Sequence, residues 1–459
     1  PRAPRPNVLL VSIDTLRADA VGRVAAGNAL TPSLDRLGRA GVVFRSAFTS
    51  APWTLPAVAS LMTGLWPRHH GAGAIANGRD PLARAPLAGD PWLLAQALAT
   101  AGVRTQAIVT NPYLLARSGL AHGFDGFENL TFLSEAMLCG RANAGQWLLD
   151  RLLPSLAVGD RGGEVSDRAV RWLERVDTEQ PFFLWLHYID AHAPYERTVA
   201  SRHKSFRGES WLGGGSGSTD DLTAESPAPV RLRSGEVRLD PAERVAVRQL
   251  YDAEVTEVDR QVGRVLDALE RRDLGRNTFV IVVAAHGEEF WEHGGYEHGH
   301  TLYDEVLHVP LIVRWPEALP AGRQIEPVVR ITDLAPTILD ALGLAPPEGL
   351  DGASLLPLVR GEPEAPRPAW SENLLFAEER VALRTATQKY IRWANGKEEV
   401  YDLASDPEER RDLAGREELV GTLRDAFARA EPALRGAPAP SLVADGPRAA
   451  GLRALGYVQ

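Results

Sequence analysis

The sequence predicts an α/β fold. The expected architecture is a large domain with a mostly parallel central sheet and helices on both faces, plus a small C-terminal α+β domain packed on it. Short apolar runs rich in Val, Ile and Phe recur between turn residues or acids, as strands buried on both faces do. Helical patterns lie between these runs, and strands alternating with helices argue for parallel pairing. Near the C-terminus the pattern changes to short alternating strands around an Asn-Gly turn, which marks the second unit.

In chain order the strand runs are NVLLVSI (7–13), TQAIVTN (105–111), PFFLWLHYI (181–189), TFVIVVAA (278–285) and VPLIVRW (309–315). DPWLLAQALATAG (90–102) and LYDAEVTEVDRQVGRVLDALERRD (250–273) read as helices. Residues 205–240 interrupt the alternation with the linker-like WLGGGSGSTDD and ESPAPVRLRSGE, expected to form a flexible surface insertion over the site. RVALRTATQKYIRWANGKEEVYDLASDPEERRDLAG (380–415) reads as antiparallel strands, the turn Asn395-Gly396, then a helix. The expected division is a catalytic domain over 1–365 and a small domain over 366–459.

The chain has 459 residues, 44% hydrophobic and 24% charged, with a formal charge of −10. That balance argues against a nucleic-acid binder, which needs a basic face. Cys139 is the single cysteine, so no intramolecular disulfide forms and the compartment stays open. No run approaches the roughly 18 apolar residues of a membrane span. The sequence starts PRAPRPNVLL, without methionine, which reads as a processed start. If an export signal has been removed, a periplasmic or extracellular location is expected over a cytoplasmic one.

Ligands of parallel α/β sheets sit at the carboxyl ends of the strands, and these ends carry reactive side chains. The first run ends at Asp14, the third at Asp190 and His192, and the fourth in the segment IVVAAHGEEFWEHGGYEHGH with His286, His293, His298 and His300. A lone Asp after a strand is commonly a cap or turn residue. Asp with His at one strand end, and four histidines in one loop, point more strongly to metal or anion binding. In APWTLPAVASLMTGLWPRHHG (51–71), Thr54 precedes Pro56 and a short apolar helix pattern. That is good N-terminal helix chemistry. It also places a hydroxyl where the helix dipole favours an anion.

These segments together resemble the sulfatase-like branch of the alkaline phosphatase superfamily. The resemblance rests on NVLLVSIDTLRAD, TPSLDRLGRAGVVF, TLPAVASLMTG with PRHHG, LHYIDAHAPY, AAHGEEFWEHG, HGHTLYDEVLHVPLI, ITDLAPTILDALG and the C-terminal LRTATQKYI with EEVYDLASDPEERRDL, in order from residue 7 to about 415. It implies Asp14 and His286 as ligands of a divalent metal, with Thr54 both touching the metal and acting as nucleophile. Asp190 and His192, with His300 or His298, match positions that bind a second metal or hold the anion. Asn77 and His70 match positions that contact the ester oxygens. The implied partner is an anionic ester, and the implied cofactor is one or two ions of Zn, Mn or Ca.

The chain departs from the pattern at four places. Threonine replaces the Cys or Ser that sulfatases oxidise to formylglycine, Val58 replaces an arginine, and Thr15 replaces the second of two aspartates. These changes resemble threonine-nucleophile phosphodiesterases, phosphonate or phosphate hydrolases and phosphotransferases. The fourth departure is Ala285, which stands where the family carries an aspartate ligand before His286. Three donors, one a neutral hydroxyl, make a weak site for Mg²⁺ or Ca²⁺, whereas Zn²⁺ or Mn²⁺ are held with water filling in. Glu288 is close enough in sequence to swing in, although the resemblance gives it no such role. The expected function is metal-dependent hydrolysis or transfer of phosphate esters through Thr54. Sulfate ester hydrolysis is the alternative. A catalytically inactive relative that binds an anionic partner, and a deliberately inactivated form of an ordinary enzyme, are the rivals from another class.

Overall fold

The computed structural model describes residues 5–25, 27–74, 84–89, 92–130, 161–193, 195 and 238–434. Asn77, Cys139 and most of the expected insertion (205–237) lie outside the described residues.

The central sheet has eight strands with helices between them. The main elements in chain order are β1 (Asn7–Ile13), α1 (Pro32–Arg39), β2 (Val42–Phe48), α2 (Thr54–Thr63), α3 (Leu94–Thr100), β3 (Arg104–Val109), β4 (Gly126–Asn129), α4 (Arg161–Arg175), β5 (Phe182–Tyr188), α5 (Pro241–Arg271), β6 (Thr278–Ala284), β7 (His308–Arg314), β8 (Arg323–Arg330) and α6 (Leu334–Ala341). The strand order is β8-β2-β7-β6-β1-β5-β3-β4. All pairs are parallel except those of β7, which runs antiparallel to both β6 and β2. Strands β1, β5 and β6 are buried almost without interruption, which is why their sequences are continuous apolar runs. Helices α1, α4 and α5 pack together in one group and α2, α3 and α6 in another.

All five expected strand runs are strands, with ends shifted by a residue or two. Strands β2, β4 and β8 were not expected. In β2 the run VVFRSAF is broken by Arg45 and Ser46, and β8 carries Pro327 at a register shift against β2. Proline is tolerated there because β8 is an edge strand. Helix α5 begins nine residues before the expected 250, at Pro241. Asp240 accepts from the Ala242 and Glu243 amides at 2.7 and 2.9 Å, and Glu243 Oε2 accepts from the Asp240 amide at 2.7 Å. This is a capping box with proline in the first turn, directly following linker-like composition.

The C-terminal sheet comprises β9 (Ala369–Ser371), β10 (Arg380–Arg384), β11 (Gln388–Trp393) and β12 (Glu398–Asp402), all antiparallel, followed by α7 (Glu417–Leu434). Gly396 in the β11–β12 turn has φ 88°, the left-handed conformation such turns require. This sheet grips the large domain at buried charges. Lys389 is fully buried, with Nζ 2.8 Å from both Asp304 Oδ1 and Glu409 Oε1. Ser371 Oγ donates to Thr49 O at 2.6 Å, and Trp53 Nε1 donates to Asn373 O at 2.8 Å, so the segment entering α2 is held from the C-terminal side. Among the described residues no helix is long and apolar enough to cross a membrane.

Candidate active site

Register brings the reactive side chains to one edge. Ile13 pairs with both Tyr188 and Ala284, so β1, β5 and β6 end level with one another. Asp14 follows β1, and Ala285 and His286 follow β6, with the Ala285 amide bonded to Ile13 O at 2.9 Å. Thr54 opens α2 behind an extended Trp53. Asp14, Thr54 and His286 are all buried.

These three meet. Thr54 Oγ1 lies 3.1 Å from Asp14 Oδ1 and 3.4 Å from His286 Nε2, and His286 Nε2 lies 3.4 Å from Asp14 Oδ1. His286 Nδ1 is 3.0 Å from Gly287 O. A carbonyl only accepts, so Nδ1 carries a proton, and Nε2 is the nitrogen that faces Asp14 and Thr54. Burial pushes the Asp14 carboxyl up, but His187 and His286 outweigh it and hold it well below the usual carboxylate range.

Two further residues support Asp14, and neither was expected from the sequence. Asn111, just past β3, donates from Nδ2 to Asp14 Oδ2 at 2.6 Å and lies 3.4 Å from Thr54 Oγ1. Its Oδ1 accepts from the Tyr113 amide at 2.8 Å, which fixes the amide orientation. His187, in β5, has Nε2 3.3 Å from Asp14 Oδ2 and Nδ1 2.9 Å from Ser12 Oγ. Trp185 Nε1 donates to the same Ser12 Oγ at 2.9 Å. Ser12 Oγ, which accepts from the indole, also reaches Leu186 O at 3.4 Å, and because the ionised Asp14 carboxylate only accepts, His187 Nε2 carries the proton between them. The signal for Asn111 was its place just beyond a strand end, the same signal that picked out Asp14.

The second group is a cluster of imidazoles, tilted or edge-on to one another. The His298 ring centroid lies 4.4 Å from that of His286 and 4.8 Å from that of His192. His192 follows Ala191, whose φ of 95° is costly for a residue with a side chain, as backbones at functional sites often are. Burial, with His298 adding to it, lowers the His192 pKa to about 4. Glu288 bonds His298 rather than Asp14, and burial raises its pKa to about 7.

The remaining expected residues make other contacts. His300 Nε2 is 3.0 Å from Glu289 Oε2, and its Nδ1 is 3.3 Å from His298 O. His70 is buried with Nε2 tied to α2, 3.0 Å from Ser60 Oγ and 3.2 Å from Pro56 O, and Nδ1 accepts from the Ala72 amide at 3.1 Å, so both nitrogens are engaged. Burial lowers its pKa to about 3. The Asp190 carboxylate lies against Gly162 in the first turn of α4, where a Cβ would come within 2.9 Å of Oδ2. His293 is pinned between Glu305 Oε1 at 2.6 Å and Glu409 O at 3.0 Å.

With this geometry in place, likeness to known proteins becomes informative. The family model described as Sulfatase matches residues 6–344, and one described as N-sulphoglucosamine sulphohydrolase, C-terminal, matches 291–429. The chain belongs to the sulfatase family. Within the alkaline phosphatase-like superfamily, human arylsulfatase K is 26% identical over 90% of this chain and 79% of its own length. Among solved structures, the phosphonate monoester hydrolase of Agrobacterium radiobacter superposes with a TM-score of 0.70 at 24% identity, covering 94% of this chain and 95% of its own. A structure in complex with its substrate D-glucosamine-2-N,6-O-disulfate superposes with a TM-score of 0.68 at 21% identity, covering 94% and 99%. Sulfatase-family homologues are hydrolases acting on ester bonds, and the family generally uses a divalent metal.

Holding such an ion at this site takes converging donors. Among the described residues no three His, Cys, Asp or Glu side chains converge on one point. One carboxylate, one imidazole and one hydroxyl do converge. Their separations of 3.1, 3.4 and 3.4 Å compare with donor–donor edges of about 3.3–3.4 Å for tetrahedral bonds of about 2.0–2.1 Å. The Asp14 carboxylate and His286 Nε2 face each other across the Thr54 hydroxyl, where all three would coordinate a cation. In the turn after Asp14, Thr15 has φ 52° and its buried Oγ1 has no hydrogen-bond partner among the described residues. Tyr251 of α5 holds that turn, donating to Thr15 O at 2.9 Å and accepting from the Arg17 amide at 3.0 Å. The donors therefore fit one ion on the Oδ1 side of Asp14. On the Oδ2 side the Asn111 N–H donor takes the place of a ligand.

Proposed function

We propose that the chain hydrolyses phosphate esters, with Thr54 as the nucleophile and a single divalent ion at Asp14, Thr54 and His286. The observation that carries this reading is the Thr54 hydroxyl, buried at a helix start and shared between Asp14 and His286. The ion, when bound, supplies positive charge that favours an oxyanion at Thr54 and draws in the ester's non-bridging oxygens. Thr54 Oγ1 attacks phosphorus in line, so a Thr54–phosphorus ester forms as the bond to the leaving oxygen breaks. His298 and His192 lie beside this centre and serve the leaving oxygen. The His298 Nε2 lone pair takes the proton that Thr54 releases and hands it to the leaving oxygen; it then takes one from the water that frees Thr54 and returns it to Thr54 Oγ1. His187 and Asn111 keep Asp14 in place throughout.

Sulfate esters are the second reading, favoured by the family match and by arylsulfatase relatives. Threonine argues for phosphorus, because a threonine sulfate lacks the elimination route open to a formylglycine hydrate. The test is turnover of a bis-aryl phosphate, an aryl phosphonate and an aryl sulfate after loading with Zn²⁺, Mn²⁺ or Ca²⁺. Phosphorus ester turnover lost in Thr54→Ala supports the reading. Sulfate turnover alone supports the second. No turnover with any ion would favour a binding protein.

A further inference from the structure

Glu288 is a buried carboxylate in the histidine cluster that the ester reading leaves without a task. Its Oε1 lies 2.8 Å from His298 Nδ1, and its Oε2 accepts from the Tyr195 hydroxyl at 2.9 Å. Its backbone is fixed as well. The amide donates to Glu305 O at 3.1 Å, and the carbonyl accepts from Arg17 Nη1 at 2.8 Å. Swinging toward Asp14 would break both side-chain bonds and orphan buried polar groups, so this carboxylate is a fixture. Glu289, its neighbour, shapes the turn by accepting from the His293 and Gly295 amides. Glu288 instead spends one oxygen on an imidazole that lies 4.4 Å from His286.

A carboxylate on Nδ1 decides what the other nitrogen does. With Nδ1 donating to Glu288, the neutral His298 ring keeps its lone pair at Nε2, and ring rotation is blocked. Tyr195 holds the second carboxylate oxygen, so Glu288 cannot rotate to offer a different geometry. Carboxylates orient the working imidazole of hydrolytic triads by the same logic.

We propose that Glu288, capped by Tyr195, is a positioning residue that holds His298 with Nε2 turned to the leaving oxygen. The proposal rests on the ester-hydrolysis reading for the role of Nε2, but the orientation itself can be measured without turnover. In ¹⁵N-edited spectra of the unmodified chain, neutral His298 should show a protonated Nδ1 and an unprotonated Nε2. Glu288→Gln keeps an oxygen that accepts from Nδ1, and should keep both this signature and kcat to within about fivefold. Glu288→Leu should lose the signature, and kcat should fall by about 10²-fold for esters of poor leaving groups but less than about threefold for nitrophenyl esters. Tyr195→Phe, the milder change, should fall between the two if the Leu variant does not fold. A protonated Nε2 in the unmodified chain would overturn the proposal. So would equal losses for good and poor leaving groups, or identical behaviour of the Gln and Leu variants. A chain that turns over no ester yet shows the expected signature would sink the hydrolase reading and leave the positioning contact standing.

Discussion

Asn111→Asp probes the electrostatics of the site directly. The Asn111 amide donates to Asp14 Oδ2 at 2.6 Å, a bond to a charged acceptor, worth about 1.5–3 kcal/mol. Aspartate removes that donor and sets a second carboxylate against the first. Two charges with centres about 4 Å apart repel by about 4 kcal/mol at an effective dielectric of about 20. Without metal, the variant should either lose several kcal/mol or take up a proton, and its apparent melting temperature in chelator should drop by several degrees. The same substitution adds an oxygen ligand, so a divalent ion should recover the loss and bind more tightly than in the unmodified chain. Thermal scans in chelator and in Zn²⁺ or Mn²⁺, at pH 8, measure both. An Asn111→Asp chain as stable in chelator as the unmodified one would refute this account of the Asp14 surroundings.

Other outcomes follow from the same contacts. Ala285→Asp places a carboxylate next to His286, and metal per chain after dialysis against trace ions should rise toward one, read by elemental analysis. Lys389→Met leaves Glu409 buried without its cation and Asp304 with only Arg384 Nη2, at 3.4 Å. It should cost about 3–5 kcal/mol, seen as a lower melting temperature with the C-terminal sheet the first region to exchange amide hydrogens. His70 stays neutral in the fold down to about pH 3 because burial disfavours its charged form, while in the unfolded chain it takes a proton near pH 6.5. Its contribution is complete above about pH 6.5 and is lost as pH falls, by about 1.4 kcal/mol per pH unit. His70→Asn should flatten stability–pH curves between about pH 6 and 4 relative to the unmodified chain.

How much of this was legible in the sequence follows from burial. Strands β1, β3, β5 and β6 are buried on both faces, and so spell continuous apolar runs. Strand β2 mixes in Arg45 and Ser46, and β8 carries Pro327 at an edge, so neither has a clean period. The capping box that starts α5 was hidden because it abuts a linker-like stretch. Asp14, Thr54 and His286 were legible through strand-end position and family resemblance, and the structure brings them into contact. The sequence left open whether His298 or His300 joins His192, and the edge-on ring contact at 4.8 Å favours His298. Asn111 and His187 escaped notice for different reasons. Asn111 looks like a turn residue before Pro112, and His187 sits inside a continuous apolar run that says only that it is buried. For Glu288, sequence distance shows nearness to His286, not the His298 and Tyr195 partners that hold it.

The most direct test of the central claim is peptide mapping by mass spectrometry after a rapid acid quench of the metal-loaded chain with excess aryl phosphodiester or phosphonate. The expected result is a phosphoryl or phosphonyl group on Thr54, absent from controls run without substrate. Steady turnover with Thr54 never modified, or undiminished turnover in Thr54→Ala, would contradict the account.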